Sequence, residues 1–199
     1  MPTTAFTDGR FESGLTFDSF LRRAEERAET STPDEAYHEY RRLNVQRMHR
    51  VLKTYSPSPT ILSAVESIDS PQRWLVITED WCGDSSQTLP AINAIAAVSP
   101  LVRLSILDRD THPDVMDAYL TNGTRGIPKL VAADAAGIEL WTWGPRPLPA
   151  QDLVQQHKSV GTPKETMYAD VHAWYARNRQ EALEQELATL ILQTKQQRV

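Results

Sequence analysis

The stretch Trp81-Cys82-Gly83-Asp84-Ser85 contains the only cysteine of this 199-residue chain. It follows an apolar run at residues 74–78, which predicts a buried strand, and it opens a helical pattern. A cysteine at a helix N-terminus lies beside free backbone N–H groups and the positive end of the helix dipole, both of which stabilise a thiolate. Such surroundings lower a thiol pKa from about 8.5 to between roughly 3.5 and 7.5. The stretch therefore predicts a reactive thiol.

The two residues after Gly83 limit what this thiol can do. Ser85 stands where a Cys-x-x-Cys motif has its second sulfur, so the motif cannot close a disulfide with itself. Two interpretations of Ser85 stay open: a hydroxyl that stabilises the Cys82 thiolate, or a helix cap left after redox chemistry was lost. Asp84 places a negative charge beside the sulfur, which raises a thiol pKa. For Asp84 itself a helix-capping role is favoured over catalysis.

Composition excludes several functional classes. A net charge of -5 offers no basic surface for nucleic acid. No apolar run approaches the roughly 20 residues of a membrane span. A single cysteine indicates a reducing compartment, and residues 1–8 carry neither the basic nor the apolar part of an export signal. The expectation is a cytoplasmic protein. No metal site is expected, because the five histidines show no ligand spacing. The oligomeric state stays undetermined.

The chain divides into three predicted parts that form a single globular unit. Residues 1–60 form a helical extension, in which Thr32-Pro33-Asp34-Glu35 predicts a helix start. Residues 161–199 form a C-terminal helix packed on the core, or a helix pair broken near Asn178. In the N-terminal part, an apolar stripe at near-helical spacing should pack against the core: Tyr37, Tyr40, Leu43, Met48, Val51, Leu52 and Tyr55.

Residues 61–160 alternate between strand and helix patterns. Strands are predicted at 73–78, 101–107, 129–133 and 138–143, and helices at 61–68, 86–98, 113–120 and 151–159. The last two strands are joined by Asp134-Ala135-Ala136-Gly137, which is typical of a hairpin turn. The order βαβα followed by ββα predicts an α/β fold with a central mixed sheet of about four strands flanked by helices.

This central part resembles the thioredoxin superfamily. Four features carry the resemblance, in matching order and spacing: Trp81-Cys82-Gly83 between strand and helix, Pro90 eight residues after Cys82, Arg125-Gly126-Ile127-Pro128, and Trp143-Gly144 after the hairpin. The resemblance implies a thioredoxin-like fold with added N- and C-terminal helices. It also implies that Pro128 is cis and faces the cysteine. Val76 stands where thioredoxins carry a buried acid, and Ser85 replaces their second cysteine.

The resemblance implies a role for each residue of the motif. Cys82 would be the attacking thiolate, with Ser85 beside it as the second catalytic position. The backbone of Ile127 would pair with an extended substrate segment. The implied substrate groove is formed by Trp81, Gly83, Asp84, Ile127, Pro128, Gly144 and Arg146. Arg146 either approaches the thiolate or an anionic substrate, or is a solvated loop arginine.

Two main functions follow. The first is a monothiol thiol–disulfide oxidoreductase, in which Cys82 attacks the disulfide of a protein or small molecule and an external thiol resolves the adduct. It needs no cofactor beyond glutathione or another low-molecular-weight thiol as co-substrate. The alternative is a non-catalytic binding module that uses the groove around Pro128. A third idea is iron–sulfur ligation as in monothiol glutaredoxins. The preceding Trp81 and the following Pro90 resemble thioredoxin more than this group.

Overall fold

The computed structural model describes residues 4–6 and 9–196. Most of residues 1–8, on which the expectation about an export signal rests, lies outside the described residues. The described elements begin with a 3₁₀ turn at Thr4–Phe6. They continue in chain order with α1 (Arg10–Ser13), α2 (Phe17–Thr30), α3 (His38–Thr54), α4 (Pro59–Glu66), β1 (Gln72–Thr78), α5 (Gly83–Ala96), β2 (Val102–Asp108), α6 (Pro113–Asp117), β3 (Lys129–Asp134), β4 (Glu139–Trp143), α7 (Leu148–Ser159), α8 (Lys164–Asn178) and α9 (Glu181–Gln196).

The four strands form one mixed sheet in the order β2-β1-β3-β4. Strand β1 pairs in parallel with β2 and antiparallel with β3, and β3 and β4 form the predicted hairpin. The α/β fold with a mixed sheet of four strands, predicted from the sequence, is confirmed. The outer edge of β2 is covered at Ile106 by a bridge to Leu15, which blocks further strand pairing there.

Successive side chains of β1 point to opposite faces of the sheet, and both faces are buried. Trp74 and Val76 join a large core that also contains side chains of α2, α3, α4, α5 and α9. Leu75 and Ile77 join a smaller core on the other face, formed with residues from the N-terminus, α6 and the loop before β3. Cys82 belongs to this second core, so its sulfur lies in largely apolar surroundings.

The start of α3 differs from the prediction. Residues 32–35 form a closed turn, in which the Thr32 carbonyl accepts the Glu35 N–H at 2.9 Å and Glu35 Oε1 accepts the Thr32 N–H at 3.0 Å. Tyr37 then adopts a left-handed backbone with φ of 68°, so α3 begins only at His38. The sequence pattern at 32–35 is that of a helix start, but its hydrogen bonds close a local turn and do not cap a helix.

The predicted apolar stripe of this region is wrong in part. Met48 and Val51 are buried, but Tyr37, Tyr40, Leu43 and Leu52 are exposed. The stripe fails because its residues belong to two faces of α3, and only one face packs against α2 and α5.

The C-terminal part is a helix pair. Arg179 and Gln180 have φ of 49° and 73°, and this left-handed stretch ends α8 and starts α9. Helix α9 packs on α4, and its Glu184 carboxylate accepts hydrogen bonds from the Tyr55 hydroxyl at 2.7 Å and the Ser58 N–H at 3.0 Å. The helix-pair alternative is therefore confirmed, while the part boundaries at 60/61 and 160/161 remain predictions. Among the described helices, none has the length and apolar character to cross a membrane.

Candidate functional site

Cys82 is the N-cap residue of α5, four residues after the end of β1. Its extended backbone, with φ of -77° and ψ of 117°, turns the chain from the strand into the helix. The residue is only 7% exposed. Its Sγ–H donates to the carbonyl oxygen of Ile127 at 3.3 Å. The thiol is therefore in contact with the loop before β3, as the resemblance implied.

That loop is supported from β4. The Ile127–Pro128 peptide bond is cis, as the resemblance implied, and the Gly144–Pro145 bond is cis as well. Gly144 has φ of 110°, and a Cβ atom at this position would lie 2.2 Å from the Pro128 carbonyl oxygen. Only glycine fits there, since both the backbone angle and the close approach exclude a side chain. Gly144 therefore packs closely against the Pro128 backbone.

The pKa of Cys82 is shifted in the direction opposite to the prediction from its helix position. Burial, and then the negative charge of Asp84, raise the pKa of the Cys82 thiol to about 11. Hydrogen bonds from the Ser85 hydroxyl and from the backbone N–H groups of Ser85 and Asp84 act the other way but are weaker. Desolvation outweighs the helix N-terminus because the sulfur is almost entirely removed from water. At neutral pH the site holds a protonated thiol.

Asp84 is the centre of a polar cluster beside the thiol. Its Oδ2 accepts hydrogen bonds from Arg146 Nε at 3.1 Å and Nη2 at 2.5 Å, and its Oδ1 accepts the Tyr175 hydroxyl at 2.8 Å. The capping role favoured for Asp84 is not found, because Cys82 is the N-cap residue and Asp84 is used in this cluster. Arg146 is not a solvated loop residue, since its side chain is 19% exposed.

Ser85 lies directly beneath the thiol and is buried. Its hydroxyl forms a very short hydrogen bond with the hydroxyl of Thr78, the last residue of β1. The same Ser85 hydroxyl favours the thiolate form of Cys82. This arrangement supports the first of the two interpretations, a hydroxyl that stabilises the thiolate. Thr78, which the sequence analysis did not select, anchors that hydroxyl.

Helix α8 packs directly over the start of α5. A Cβ atom on Gly83 would lie 2.9 Å from His172 Cε1, so a larger residue there would displace the His172 ring. Arg50 donates to Gln87 Oε1, which turns the Gln87 amide nitrogen towards His172 Nδ1 at 3.1 Å. Burial, together with the nearby Arg47 cation, lowers the pKa of His172 to about 4, so its ring is neutral at pH 7. The C-terminal extension is thus part of the site.

A cleft of about 390 Å³ opens above Cys82. Its walls come from the start of α3, the loop before β3, and the helices α7 and α8. The lining residues are Tyr37, Tyr40, Trp81, Cys82, Gly83, Asp84, Arg109, Arg125, Gly126, Ile127, Arg146, Val154, Lys158, Lys164, Met167, Tyr168, Val171 and His172. Among the described residues, no three His, Cys, Asp or Glu side chains gather into a potential metal site.

Trp81 forms a stacked arrangement at the mouth of the cleft. The Tyr37 ring stacks on it with centroids 4.5 Å apart, and the Arg109 guanidinium lies 4.8 Å from the Trp81 ring centroid. The left-handed backbone of Tyr37 brings its ring to this position. Such conformations are costly for residues other than glycine and tend to be kept at functional sites.

The structure brings most of the predicted site residues together. Trp81, Cys82, Gly83, Asp84, Ile127 and Arg146 line the cleft, Ser85 lies below it, and Gly144 supports Pro128 from behind. The functional roles of these residues remain predictions. Sequence reasoning missed the wall formed by α7 and α8 and the tyrosines of α3. No local signal links these residues to Cys82, because they lie far from it along the chain.

The comparisons with known proteins agree with this architecture. A family model described as thioredoxin matches residues 30–158. The chain belongs to the thioredoxin superfamily. The match begins before α3 and ends in α7, so it includes the Cys82 segment and the Pro128 loop of this thioredoxin-like protein. No curated protein matches the chain.

Two solved structures share the fold. The crystal structure of PA1234, a protein of unknown function from Pseudomonas aeruginosa, aligns with a TM-score of 0.54 and 18% identity, covering 83% of this chain and 92% of that one. An HIV 4E10 epitope scaffold aligns with a TM-score of 0.54 and 20% identity, covering 82% of this chain and 93% of that one. At these identities the similarity concerns the fold alone.

Proposed function

We propose that this thioredoxin-like protein is a monothiol thiol–disulfide oxidoreductase. The Cys82 thiolate attacks one sulfur of a disulfide R–S–S–R′, forms the mixed disulfide Cys82–S–S–R and releases R′–S⁻, which takes up a proton. The observation that carries the proposal is the position of Cys82: it faces the Pro128 loop at the floor of a cleft that a small substrate can enter. The chemistry requires this access as well as the sulfur.

An external thiol must complete the cycle. The chain has one cysteine, and Ser85 occupies the position from which a second sulfur would act. A low-molecular-weight thiol such as glutathione, or a cysteine of a partner protein, attacks the mixed disulfide and regenerates the Cys82 thiol. In each cycle R′ leaves as a thiol and R leaves in a new disulfide R–S–S–R″ with the external thiol R″–SH, so one external thiol is oxidised as R′ is reduced. Because the cycle depends on abundant reduced thiol, the proposal places the protein in the cytoplasm.

The raised pKa makes Cys82 slow at neutral pH but does not prevent exchange. A pKa of about 11 leaves about 300-fold less thiolate at pH 7 than the ordinary value of about 8.5. Because the nucleophilicity of a thiolate rises with its pKa, the net loss in rate is about 20-fold. A cleft that orients a disulfide beside the sulfur gains more than this factor.

The same pKa favours a second candidate, a non-catalytic binding module. A buried, protonated Cys82 that donates to Ile127 is also consistent with a structural thiol. In this case the cleft binds a partner or small molecule without covalent exchange. Binding would then survive the Cys82→Ser substitution unchanged.

One pair of measurements separates the two candidates. The purified protein is given a glutathionylated peptide and reduced glutathione, and release of the peptide thiol is followed at pH 8. The oxidoreductase should turn over well above the Cys82→Ser variant, and its trapped intermediate should carry one glutathione on Cys82 by mass spectrometry. Equal rates for the protein and the variant, with no adduct, would reject the oxidoreductase in favour of the binding module.

A further inference from the structure

The charge of the cleft differs from that of the whole chain. The protein carries a net charge of -5, but the cleft is lined by five cationic side chains and by the single carboxylate of Asp84. The cationic side chains are Arg109, Arg125, Arg146, Lys158 and Lys164. A concave surface lined by one sign of charge raises the local concentration of ligands of the opposite sign.

The arginines of the cleft already have partners. Arg146 is bound to Asp84 inside the cleft. Arg109 pairs with Asp110 at 2.7 Å, and Arg125 pairs with Asp117 at 2.7 Å. Asp110 and Asp117 are exposed, and pairs of this kind contribute about 0–1 kcal/mol, so a ligand carboxylate can replace them.

The two lysines supply the excess positive charge. Within residues 4–6 and 9–196, no carboxylate lies within salt-bridge distance of Lys158 or Lys164. Lys164 rests over the ring of Tyr168 at 5.5 Å, which keeps its ammonium group at the cleft wall. Lys158 belongs to α7 and Lys164 to the first turn of α8, and both line the cleft that contains Cys82.

The size of the cleft selects small ligands. Its volume of about 390 Å³ lies in the usual range for small-molecule sites. Helix α8 closes one side with Lys164, Met167, Tyr168, Val171 and His172. A cleft of this size and enclosure suits a small disulfide.

We propose that the cleft selects small disulfides that carry negative charge, with Lys158 and Lys164 binding their anionic groups while Cys82 attacks a sulfur. This proposal rests on the oxidoreductase function given above. The anionic arm stays bound through the exchange: Cys82–S⁻ and R–S–S–R give Cys82–S–S–R and R–S⁻, and an external thiol releases the second arm. The selected class is a low-molecular-weight thiol compound bearing carboxylate or similar anionic groups.

Three aliphatic disulfides of similar size test the selection by charge. They are dithiodipropionate, which is anionic, hydroxyethyl disulfide, which is neutral, and cystamine, which is cationic. The rate of adduct formation on Cys82 is measured at pH 8 by mass spectrometry and divided by the rate of each disulfide with mercaptoethanol. The anionic compound should exceed the cationic one by about tenfold or more at low salt, and 0.5 M salt should reduce the difference.

A lysine variant and a matched control identify the residues. The double variant Lys158→Gln, Lys164→Gln should lower the ratio of anionic to neutral rates towards one. Lys53→Gln, an exposed lysine of α3 that does not line the cleft, should leave the ratio unchanged.

Each other outcome has a definite meaning. Equal normalised rates for the three disulfides, or a faster rate for cystamine, would overturn the charge selection and leave the exchange activity standing. A double variant with the same ratio as the wild type would overturn the assignment to the two lysines. Absence of any adduct on Cys82 would overturn the oxidoreductase proposal itself. The salt dependence is measured on the wild-type protein, so the test does not depend on the folding of a variant.

Discussion

The guanidinium group of Arg146 binds the carboxylate of Asp84, with Nε and Nη2 at 3.1 and 2.5 Å from Oδ2. The acid is two residues after Cys82, whereas the arginine comes from the segment between β4 and α7. Both side chains are largely buried, at 13% and 19% exposure. The pair therefore offsets a negative charge that would otherwise act on the thiol more strongly.

Replacing the arginine tests this relationship. In Arg146→Gln, the Asp84 carboxylate keeps the Tyr175 hydrogen bond but loses its cation, so its field at Cys82 increases. The pKa of the thiol should rise further, and alkylation at pH 8 should become slower than in the wild type. The free energy of unfolding should fall by about 3 kcal/mol, because a largely buried charge is left without its partner. Arg146→Lys should recover part of both losses, and faster alkylation in Arg146→Gln would contradict the interpretation.

Removing the acid should have the opposite effect on the thiol. Asp84→Asn keeps the shape of the side chain but removes the charge that helps to raise the pKa of Cys82. The pKa should fall, and iodoacetamide should react about threefold faster at pH 8, because the gain in thiolate is partly offset by the lower nucleophilicity of a less basic thiolate. Asp152→Asn, on the exposed face of α7, serves as the control and should not change the rate. An unchanged rate in Asp84→Asn would show that burial alone sets the pKa.

The hydroxyl pair beneath the thiol can be tested by a double-mutant cycle. Thr78→Val leaves the buried Ser85 hydroxyl without its hydrogen-bond partner from β1. Ser85→Ala leaves the buried Thr78 hydroxyl without its partner in the same way. Each single variant should lose about 1–3 kcal/mol of unfolding free energy in urea. The double variant should lose clearly less than the sum, because it leaves no unsatisfied hydroxyl. Ser85→Ala should also slow alkylation of Cys82, and a purely additive cycle would argue against the hydrogen bond.

Substitutions at two glycines with left-handed backbones distinguish the cost of backbone strain from the cost of a steric clash. Gly123→Ala introduces a side chain at φ of 72° with no atom within 4 Å of the new Cβ, and should cost about 1 kcal/mol. Gly144→Ala introduces one at φ of 110°, where the new Cβ meets the Pro128 carbonyl at 2.2 Å. Its loss of unfolding free energy should be about 3 kcal/mol or more. Similar losses in the two variants would show that the Pro128 segment moves freely.

Acid stability should reflect the buried histidine. The pKa of His172 is about 4 in the folded protein, against about 6.5 when it is exposed on unfolding. Between these values the unfolded chain binds a proton that the folded protein does not, so stability falls as pH is lowered from 6.5 to 4. The contribution is at most about 3 kcal/mol. Urea unfolding of the wild type and of His172→Gln at several pH values measures it, and the variant should lose less stability on acidification; parallel curves would contradict the assignment.

The central elements were predictable because they depend on local patterns. Strands β1 to β4 and the hairpin at residues 134–137 follow from apolar runs and turn residues that are adjacent in the chain. The same holds for the position of Cys82 at the start of α5. The start of α3 was not predictable in this way, because the hydrogen bonds of the turn at residues 32–35 imitate those of a helix cap.

The sequence by itself determined that there is one thiol, that it follows a strand and opens a helix, and that no second cysteine can resolve its adduct. Only the tertiary structure decided the protonation state of that thiol, the pairing of Asp84 with Arg146, and the enclosure of Cys82 by α8. Burial and charge depend on distances in space, and the groups that determine this burial and charge lie up to 91 residues apart in the chain. The helix position favours a thiolate locally, and the apolar packing around the sulfur outweighs it.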